Sequence, residues 1–329
     1  MGVWRSGTSL LHALLNQHPD VGLMYEAELP LLWSLFLTGR SKSDWAERWE
    51  FWNNALSRHG LDPAEVAPAS TLRDAVRSVY RDYAALKNAR IWGEKSPNYW
   101  DRLNRVLKQF PNARFIVLLR DPHGVCRSVI EAAQGSRYFA RPGMPLRALF
   151  ACELLKRQSD ILRRRDVPVH VIQYEDLVRN PEAELRGICD FLGLPYDSRM
   201  ASLATADRRG FYEGAHHQLA KGDRILAARL RDDVVPPSFK AKIDAYLSYW
   251  HDEYNGEWPV NPNPMARVPG PKASVRMADR LRFRFLRLLD DLTAAVYCWA
   301  PLGPLRRRRE SKRAASVSSE ADTAVREHV

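Results

Sequence analysis

"GVWRSGTSLL", Gly2 to Leu11, decides how this chain is read. Gly2 and Gly7 stand at the G-x-x-x-x-G spacing of a phosphate-binding loop, and Ser9 supplies the closing hydroxyl. The lysine of that pattern is missing: Thr8 holds its place, and Arg5 sits inside the loop instead. Leu10, Leu11, Leu14 and Leu15 follow at helical spacing as far as His18-Pro19. A helix therefore begins at the loop, and its N-terminal amides and positive dipole end are offered to an anion. In loops that use ATP, the lysine reaches the β- and γ-phosphates and Mg²⁺ neutralises the rest. With threonine there, the loop suits a donor with one bridging anhydride to a singly charged group. Arg5 and one further cation can serve such a donor without a metal.

Outward from the loop, strands alternate with helices. "VGLMYE" (Val21 to Glu26) reads as a short buried strand ending in a carboxylate. "ARFIVLLRDPHGVCRSVIEAA" is the clearest unit: an apolar strand from Arg114 to Leu119, then Arg120, then Asp121-Pro122 as N-cap and first helical residue. A second unit, "VPVHVIQYEDLVRNPEAELRGICDFLGLP", has its strand end near Tyr174 and its next helix opened by Asn180-Pro181. This order predicts an α/β fold with a doubly wound parallel sheet flanked by helices, whose ligands lie at the carboxyl ends of the strands. Arg5, Glu26, Lys95, Arg120 and Tyr174 all fall at or just past strand ends, so they are expected along one crevice.

The chain has 329 residues, 45% hydrophobic and 27% charged, enough to bury a full-sized core. A net charge of +11 and a pI near 9.6 call for an anionic partner. Much of that charge is local to "LRRRRESKR" (Leu305 to Arg313) and the arginine-rich run from Arg276 to Arg287. Cys126, Cys152, Cys189 and Cys298 are isolated, which argues against a zinc site and a disulfide framework and favours a reducing compartment. The apolar stretch "LPLLWSLFL" (Leu29 to Leu37) is too short to span a bilayer. A cytoplasmic protein is expected.

Residues 1–260 read as the main domain and 261–275 as a Pro/Gly/Asn-rich linker. In 276–300, Met277, Leu281, Phe285, Leu288, Leu289, Leu292, Val296 and Trp299 share one helical face, and 301–329 reads as a disordered basic tail. For this amphipathic helix, docking on the domain and lying peripherally on the inner membrane surface fit equally well.

Taken in order, "RSGTSLL", "NQHPDV" with Glu26 after it, "EKSPNYW", "VLLRDPHGVCRSVI" and "YEDLVRNP" closely resemble the sulfotransferases that use 3′-phosphoadenosine 5′-phosphosulfate (PAPS), over roughly the first two-thirds of the chain. The resemblance implies that Arg5, Ser6, Gly7, Thr8 and Ser9 bind the 5′-phosphosulfate. It implies that Arg120 and Ser128 bind the 3′-phosphate and that Tyr174 contacts the nucleotide. Glu26 matches the catalytic carboxylate of the tyrosylprotein sulfotransferases, and Lys95 matches a lysine near the transferring group. "AKGDRIL" (Ala220 to Leu226) looks like the loop that closes over the 3′-phosphate, which implicates Gly222 and Arg224. Sulfuryl transfer is in-line displacement at sulfur, with the carboxylate taking the acceptor's proton while Arg5, Lys95 and loop amides stabilise the developing charge. No metal and no nucleic acid are implied, and the acceptor hydroxyl could belong to a carbohydrate, a lipid, a tyrosine or a small alcohol. Members of the family have a full buried strand before the loop where this chain has only Met1 to Trp4. A natural start further upstream, which could carry a signal anchor, is therefore expected.

Each residue also has a plainer reading. Arg120 before Asp-Pro can be a salt-bridged cap, and Ser128 can face solvent. Glu28 competes with Glu26, Glu94 and Asp176 read as local caps or ion pairs, and His216 and His217 read as exposed. The tryptophans between Asp44 and Leu86 read as packing. Two other functions stay open: a P-loop nucleotide kinase or NTPase, which needs the missing lysine and a Mg²⁺-holding acid, and a non-catalytic protein that binds nucleic acid or membrane through its tail.

Overall fold

β3, Phe115–Leu119, shows why the sheet is parallel and buried on both faces. Phe115, Val117 and Leu119 join one apolar core with Val3, Trp4, Met24 and Val125. Leu118, pointing the other way, joins a second core with Leu10, Leu14, Ile172 and Ile188. A strand with helices over both faces needs a continuous apolar run, and "FIVLL" supplies one.

The computed structural model describes residues 1–29, 56–62, 72–100, 103–163, 165–206, 225, 234–253 and the single positions 277, 281 and 285. The other elements that bear on the site are α1 (Thr8–Leu15), β1 (Val21–Tyr25), α2 (Leu72–Ala85), β2 (Ile91–Lys95), α3 (Leu103–Gln109), α4 (Pro122–Ala132), α5 (Met144–Arg163), β4 (Val169–Gln173), α6 (Tyr174–Arg179), α7 (Pro181–Leu192) and α8 (Pro237–Glu253). β1 runs parallel to β2, from Val21 opposite Ile91 to Tyr25 opposite Lys95. β3 runs parallel to β4, from Phe115 opposite Val169 to Leu119 opposite Gln173. Gly2 bridges to Leu118, again in parallel, and the Leu118 amide donates to the Met1 carbonyl at 2.8 Å. A cavity of about 850 Å³ is lined by Ile91 and Trp92 of β2, Phe115 and Ile116 of β3, and Leu11 and Leu15 of α1; Arg5, Glu26 and Arg120 do not line it.

The local signals act as the sequence implies. The Asp121 carboxylate caps α4, accepting from the amides of His123 and Gly124 at 3.2 and 3.3 Å, with Pro122 in the first turn. α7 opens at Pro181 and closes on Gly193 in a left-handed conformation. Three boundaries differ from the sequence reading. α1 ends at Leu15, with Asn16 as its C-cap, short of Pro19. β1 ends at Tyr25, which puts Glu26 in a turn with φ of 49°. The stretch after β4 forms its own short helix, α6, whose first turn carries Glu175 and Asp176 and whose last turn carries Arg179, each at the end its charge favours.

The chain divides into two units, Met1–Phe283 and Arg284–Val329. In the first, Met277 and Leu281 are helical and exposed; in the second, so is Phe285. No helix among the described residues is long and apolar enough to cross a membrane. The tryptophans Trp45, Trp49 and Trp52, the loop bearing His216, His217, Gly222 and Arg224, the linker 261–275 and the tail 301–329 lie outside the described residues.

Candidate functional site

The glycine loop bends through two left-handed residues, Arg5 (φ 64°) and Gly7 (φ 95°), before α1 begins. Arginine has no special tolerance for that conformation, so the loop holds it against a local cost of order 1 kcal/mol. Gly7 is the N-cap of α1 and no side chain caps it, which leaves the first amides of the helix directed outward. A Cβ on Gly7 would come within 2.4 Å of the Tyr174 ring, so glycine is required here both for its φ and for its lack of a side chain.

Arg120 leaves the end of β3 beside this loop. It is 7% exposed. Its Nη1 donates to the Arg5 carbonyl at 2.7 Å, and its guanidinium lies over the Tyr174 ring, 4.2 Å from the centroid. Arg5 in turn donates from Nε to Ser128 Oγ at 3.1 Å, and its guanidinium lies 5.9 Å from the Phe139 centroid. No carboxylate pairs with Arg120 among the described residues, so the salt-bridged reading of this position does not hold. Ser128 likewise faces Arg5 and not only solvent. Burial first, and then the neighbouring Arg120 charge, lowers the Arg5 pKa. The two guanidiniums disfavour each other, with Glu131 the strongest influence opposing the shift at Arg5, and an anion bound between them would relieve that cost.

The second half of the site is acidic. The amide of Glu26 donates to the Lys95 carbonyl at 2.8 Å, and Lys95 Nζ pairs with Glu26 Oε1. The ammonium also lies over the Tyr25 ring, 3.7 Å from its centroid, and the Tyr25 hydroxyl shares a 2.7 Å hydrogen bond with Ser9 Oγ of α1. Burial lowers the Lys95 pKa, with Glu26 as the strongest opposing influence. Of the two competing acids, Glu26 therefore holds the lysine. Glu28, also left-handed at φ 55°, accepts instead from Ser96 Oγ at 2.8 Å and from Asn98 Nδ2. Asn98 Oδ1 accepts from Trp4 Nε1 at 2.7 Å, which ties this corner to the glycine loop.

Glu94 corrects the sequence reading: it is neither a cap nor an ion pair. Its Oε2 accepts from the Glu28 amide at 2.8 Å, and burial pushes its pKa up to about 8, with the neighbouring Glu28 charge adding in the same direction. Asp176 does ion-pair as expected, with Arg179 at 2.9 Å. The raised Glu94 pKa makes stability depend on pH. A carboxyl whose folded pKa is raised carries a proton that the unfolded chain has lost, so stability is fully present near pH 4.5 and falls as pH climbs towards 8. The expected slope is up to about 1.4 kcal/mol per pH unit. A melting-temperature series from pH 5 to 8 should show the decline, and Glu94→Gln should flatten it; an equal slope in the variant would remove Glu94 as the cause.

Nothing in the sequence marks Trp4, Tyr25 and Asn98 as site residues. Asn98 lies inside the "EKSPNYW" motif and Tyr25 directly precedes Glu26, but neither position alone signals its partner.

Two parallel strand pairs, β1–β2 and β3–β4, carry at or just past their ends a glycine loop, two guanidiniums and a Lys–Glu pair, the arrangement of an α/β protein with a phosphate-type loop. The Sulfotransferase family model matches residues 1–198 of the 329, and the chain belongs to that family. It is 27% identical over 266 residues to protein-tyrosine sulfotransferase A of Caenorhabditis elegans, covering 75% of this chain and 59% of the worm protein. It is 28% identical over 145 residues to the omega-hydroxy-beta-dihydromenaquinone-9 sulfotransferase Stf3 of Mycobacterium bovis, covering 41% of this chain and 37% of that protein. The chain thus spans less than two thirds of the length of these curated relatives. The sulfotransferase domain of the Synechococcus PCC 7002 olefin synthase superposes with a TM-score of 0.45 at 20% identity, covering 71% of this chain and 89% of that one.

Proposed function

We propose that this protein transfers the sulfuryl group of PAPS to an acceptor hydroxyl, with Glu26 as general base. The observation that carries the reading is the placement of Arg5 and Arg120 against one another at the start of α1, with the Lys95–Glu26 pair linked to the same helix through Tyr25 and Ser9. The residues fit the donor. The glycine cradle leaves no room for a side chain at Gly7, the helix amides and Arg5 suit a phosphosulfate, and Arg120 with Ser128 suits a second phosphate. Tyr174, whose ring lies beneath the Arg120 guanidinium and against Gly7, would border the nucleotide side. On resemblance alone, Gly222 and Arg224 join this set.

Transfer forms an acceptor O–S bond, breaks the S–O bond to the 5′-phosphate and delivers the acceptor proton to a base. Glu26 receives that proton. Lys95, released from Glu26 as the carboxylate is neutralised, offers its ammonium to the bridging oxygen, while Arg5, Ser6, Thr8, Ser9 and the loop amides hold the equatorial oxygens. The residues require no metal for these roles. The two relatives' names specify a tyrosine and a hydroxylated menaquinone as acceptors; for this chain the proposal extends to a hydroxyl on a carbohydrate, lipid, tyrosine or small alcohol. Calorimetric titration with 3′,5′-adenosine bisphosphate, and separately with ATP and Mg²⁺, tests the reading. Binding of the bisphosphate alone supports it, and binding of ATP with Mg²⁺ alone overturns it in favour of a kinase or NTPase.

The same reading places the protein in the cytoplasm, resting on the inner membrane surface through the basic stripe of 276–300. Met277 and Leu281 stand exposed, as does Phe285 in its own unit. Arg276, Arg280, Arg282, Arg284 and Arg287 are interspersed among them. An anionic surface gains about 1 kcal/mol per arginine brought near it. The full chain should float with phosphatidylcholine vesicles that contain phosphatidylglycerol and not with pure phosphatidylcholine, and serine at 277, 281 and 285 should abolish flotation. Equal flotation of the triple variant would refute this placement.

A further inference from the structure

We infer that Glu28 is a positioning residue that holds the donor loop and the base turn in one fixed relation. This rests on the sulfuryl-transfer reading and adds a second acid to it.

In-line transfer needs three points on one line: the acceptor oxygen beside Glu26, the sulfur, and the leaving oxygen at the Arg5 loop. Glu26 and the loop belong to different segments, so their relation must be set by contacts between those segments. One link is the Ser9–Tyr25 hydrogen bond, beside the His12–Tyr25 ring contact. A second passes through Glu28. Its backbone amide is anchored on Glu94 Oε2 at 2.8 Å, and its Oε1 accepts from both Ser96 Oγ and Asn98 Nδ2. The Ser96 hydroxyl also accepts from the Asn98 amide at 3.0 Å, which closes the turn after β2. Asn98 then reaches Trp4, the residue immediately before Arg5. One carboxylate oxygen thus joins the turn that carries Glu26, the end of β2 that carries Lys95, and the loop that carries Arg5.

The chemistry favours this assignment over that of a second base. Both hydrogen bonds accepted by Glu28 Oε1 come from donors fixed in the protein, and no ammonium pairs with Glu28 among the described residues. Trp4 is itself clamped by aromatic edges, from Trp100 at 5.5 Å and Tyr138 at 6.3 Å. Asn98 therefore fixes the one edge of the indole that carries a polar atom. Glu26 and Glu28 both stand in the left-handed region, so the turn has no relaxed conformation of its own to return to and depends on these partners.

The test is Glu28→Ala and Glu28→Gln in the full chain. Single-turnover release of sulfate from ³⁵S-labelled PAPS is followed with water as acceptor and again with excess 2-naphthol, beside calorimetry with the bisphosphate. Glu28→Ala should slow transfer about 10- to 100-fold, the loss that a misplacement of order 1 Å produces, with bisphosphate affinity changed by less than about threefold. Glu28→Gln keeps a carbonyl oxygen for both donors and should return to within about fivefold of wild type. Asn98→Ala breaks the link to Trp4 with Glu28 intact and should reproduce the loss, and it decides the matter if Glu28→Ala does not fold. Wild-type rates in Glu28→Ala and Asn98→Ala would overturn the inference. So would a dead Glu28→Gln beside an active Glu26→Gln, which would make Glu28 the base. A wild-type protein that neither binds the bisphosphate nor transfers sulfate fails at the proposed function itself, before Glu28 is in question.

Discussion

Glu26→Gln is expected to slow sulfuryl transfer about 10²- to 10⁴-fold while leaving affinity for 3′,5′-adenosine bisphosphate near that of wild type. Glutamine keeps the shape of the side chain and an oxygen that can still accept from Lys95, so the pairing that orders the ammonium survives in weakened form. What it loses is the ability to take a proton. The proposed donor contacts lie on Arg5, Arg120 and the start of α1, none of which hydrogen-bonds to the Glu26 carboxylate among the described residues, so binding and rate should separate cleanly. Single-turnover transfer from labelled donor, with calorimetry on the same preparation, gives both numbers. A rate within a few-fold of wild type would reduce Glu26 to a structural counterion for Lys95. A matched loss of rate and affinity would place it in donor binding instead.

The parts of this site that could be read from the sequence are those whose determinants are local. Asp121-Pro122 caps α4 through amides two and three residues away, so "VLLRDP" alone fixes a strand end, an arginine and a helix start. Gly7 needs its left-handed φ for the loop's own turn, which is local, although the space it leaves is demanded by the distant Tyr174 ring. Placing strand ends on one side of a parallel sheet then follows from alternation of strand and helix. What stayed hidden depends on contacts between distant segments. Arg5 reaches Ser128 across 123 residues, Trp4 reaches Asn98 across 94, and Asn98 reaches Glu28 across 70. No periodicity or cap records such pairings.

Glu26 and Glu28 illustrate the limit most directly. Two acids separated by one alanine, both ending a strand signal, are equivalent in composition and in hydropathy. Their roles diverge because β1 stops at Tyr25 and both acids take left-handed backbone, which turns one carboxylate to Lys95 and the other to Ser96 and Asn98. Glu94 is misread for a related reason. A charged residue near a strand end is usually solvated or paired, whereas burial of the Glu94 carboxyl, with the Glu28 amide on its Oε2, pushes its pKa up to about 8.

Arg120→Ala should weaken bisphosphate binding by roughly 10²- to 10³-fold, the cost of removing one partner from a buried, hydrogen-bonded charge pair. The free protein should lose little. In the absence of an anion, Arg120 and Arg5 repel, and the alanine variant relieves that repulsion while giving up one hydrogen bond to the Arg5 carbonyl and the contact with Tyr174. The melting temperature without ligand should therefore stay close to that of wild type, whereas the rise produced by saturating bisphosphate should vanish, because stabilisation by a ligand grows only with the ratio of its concentration to Kd. Arg120→Lys separates charge from geometry. A lysine restores the positive charge but neither the planar stack on Tyr174 nor the fork that can hold the Arg5 carbonyl and a phosphate together, so it should recover only a minor part of the affinity. If Arg120→Ala instead lowers the melting temperature sharply and binds the bisphosphate as wild type does, Arg120 is a strut for the loop, and the second phosphate must be held elsewhere.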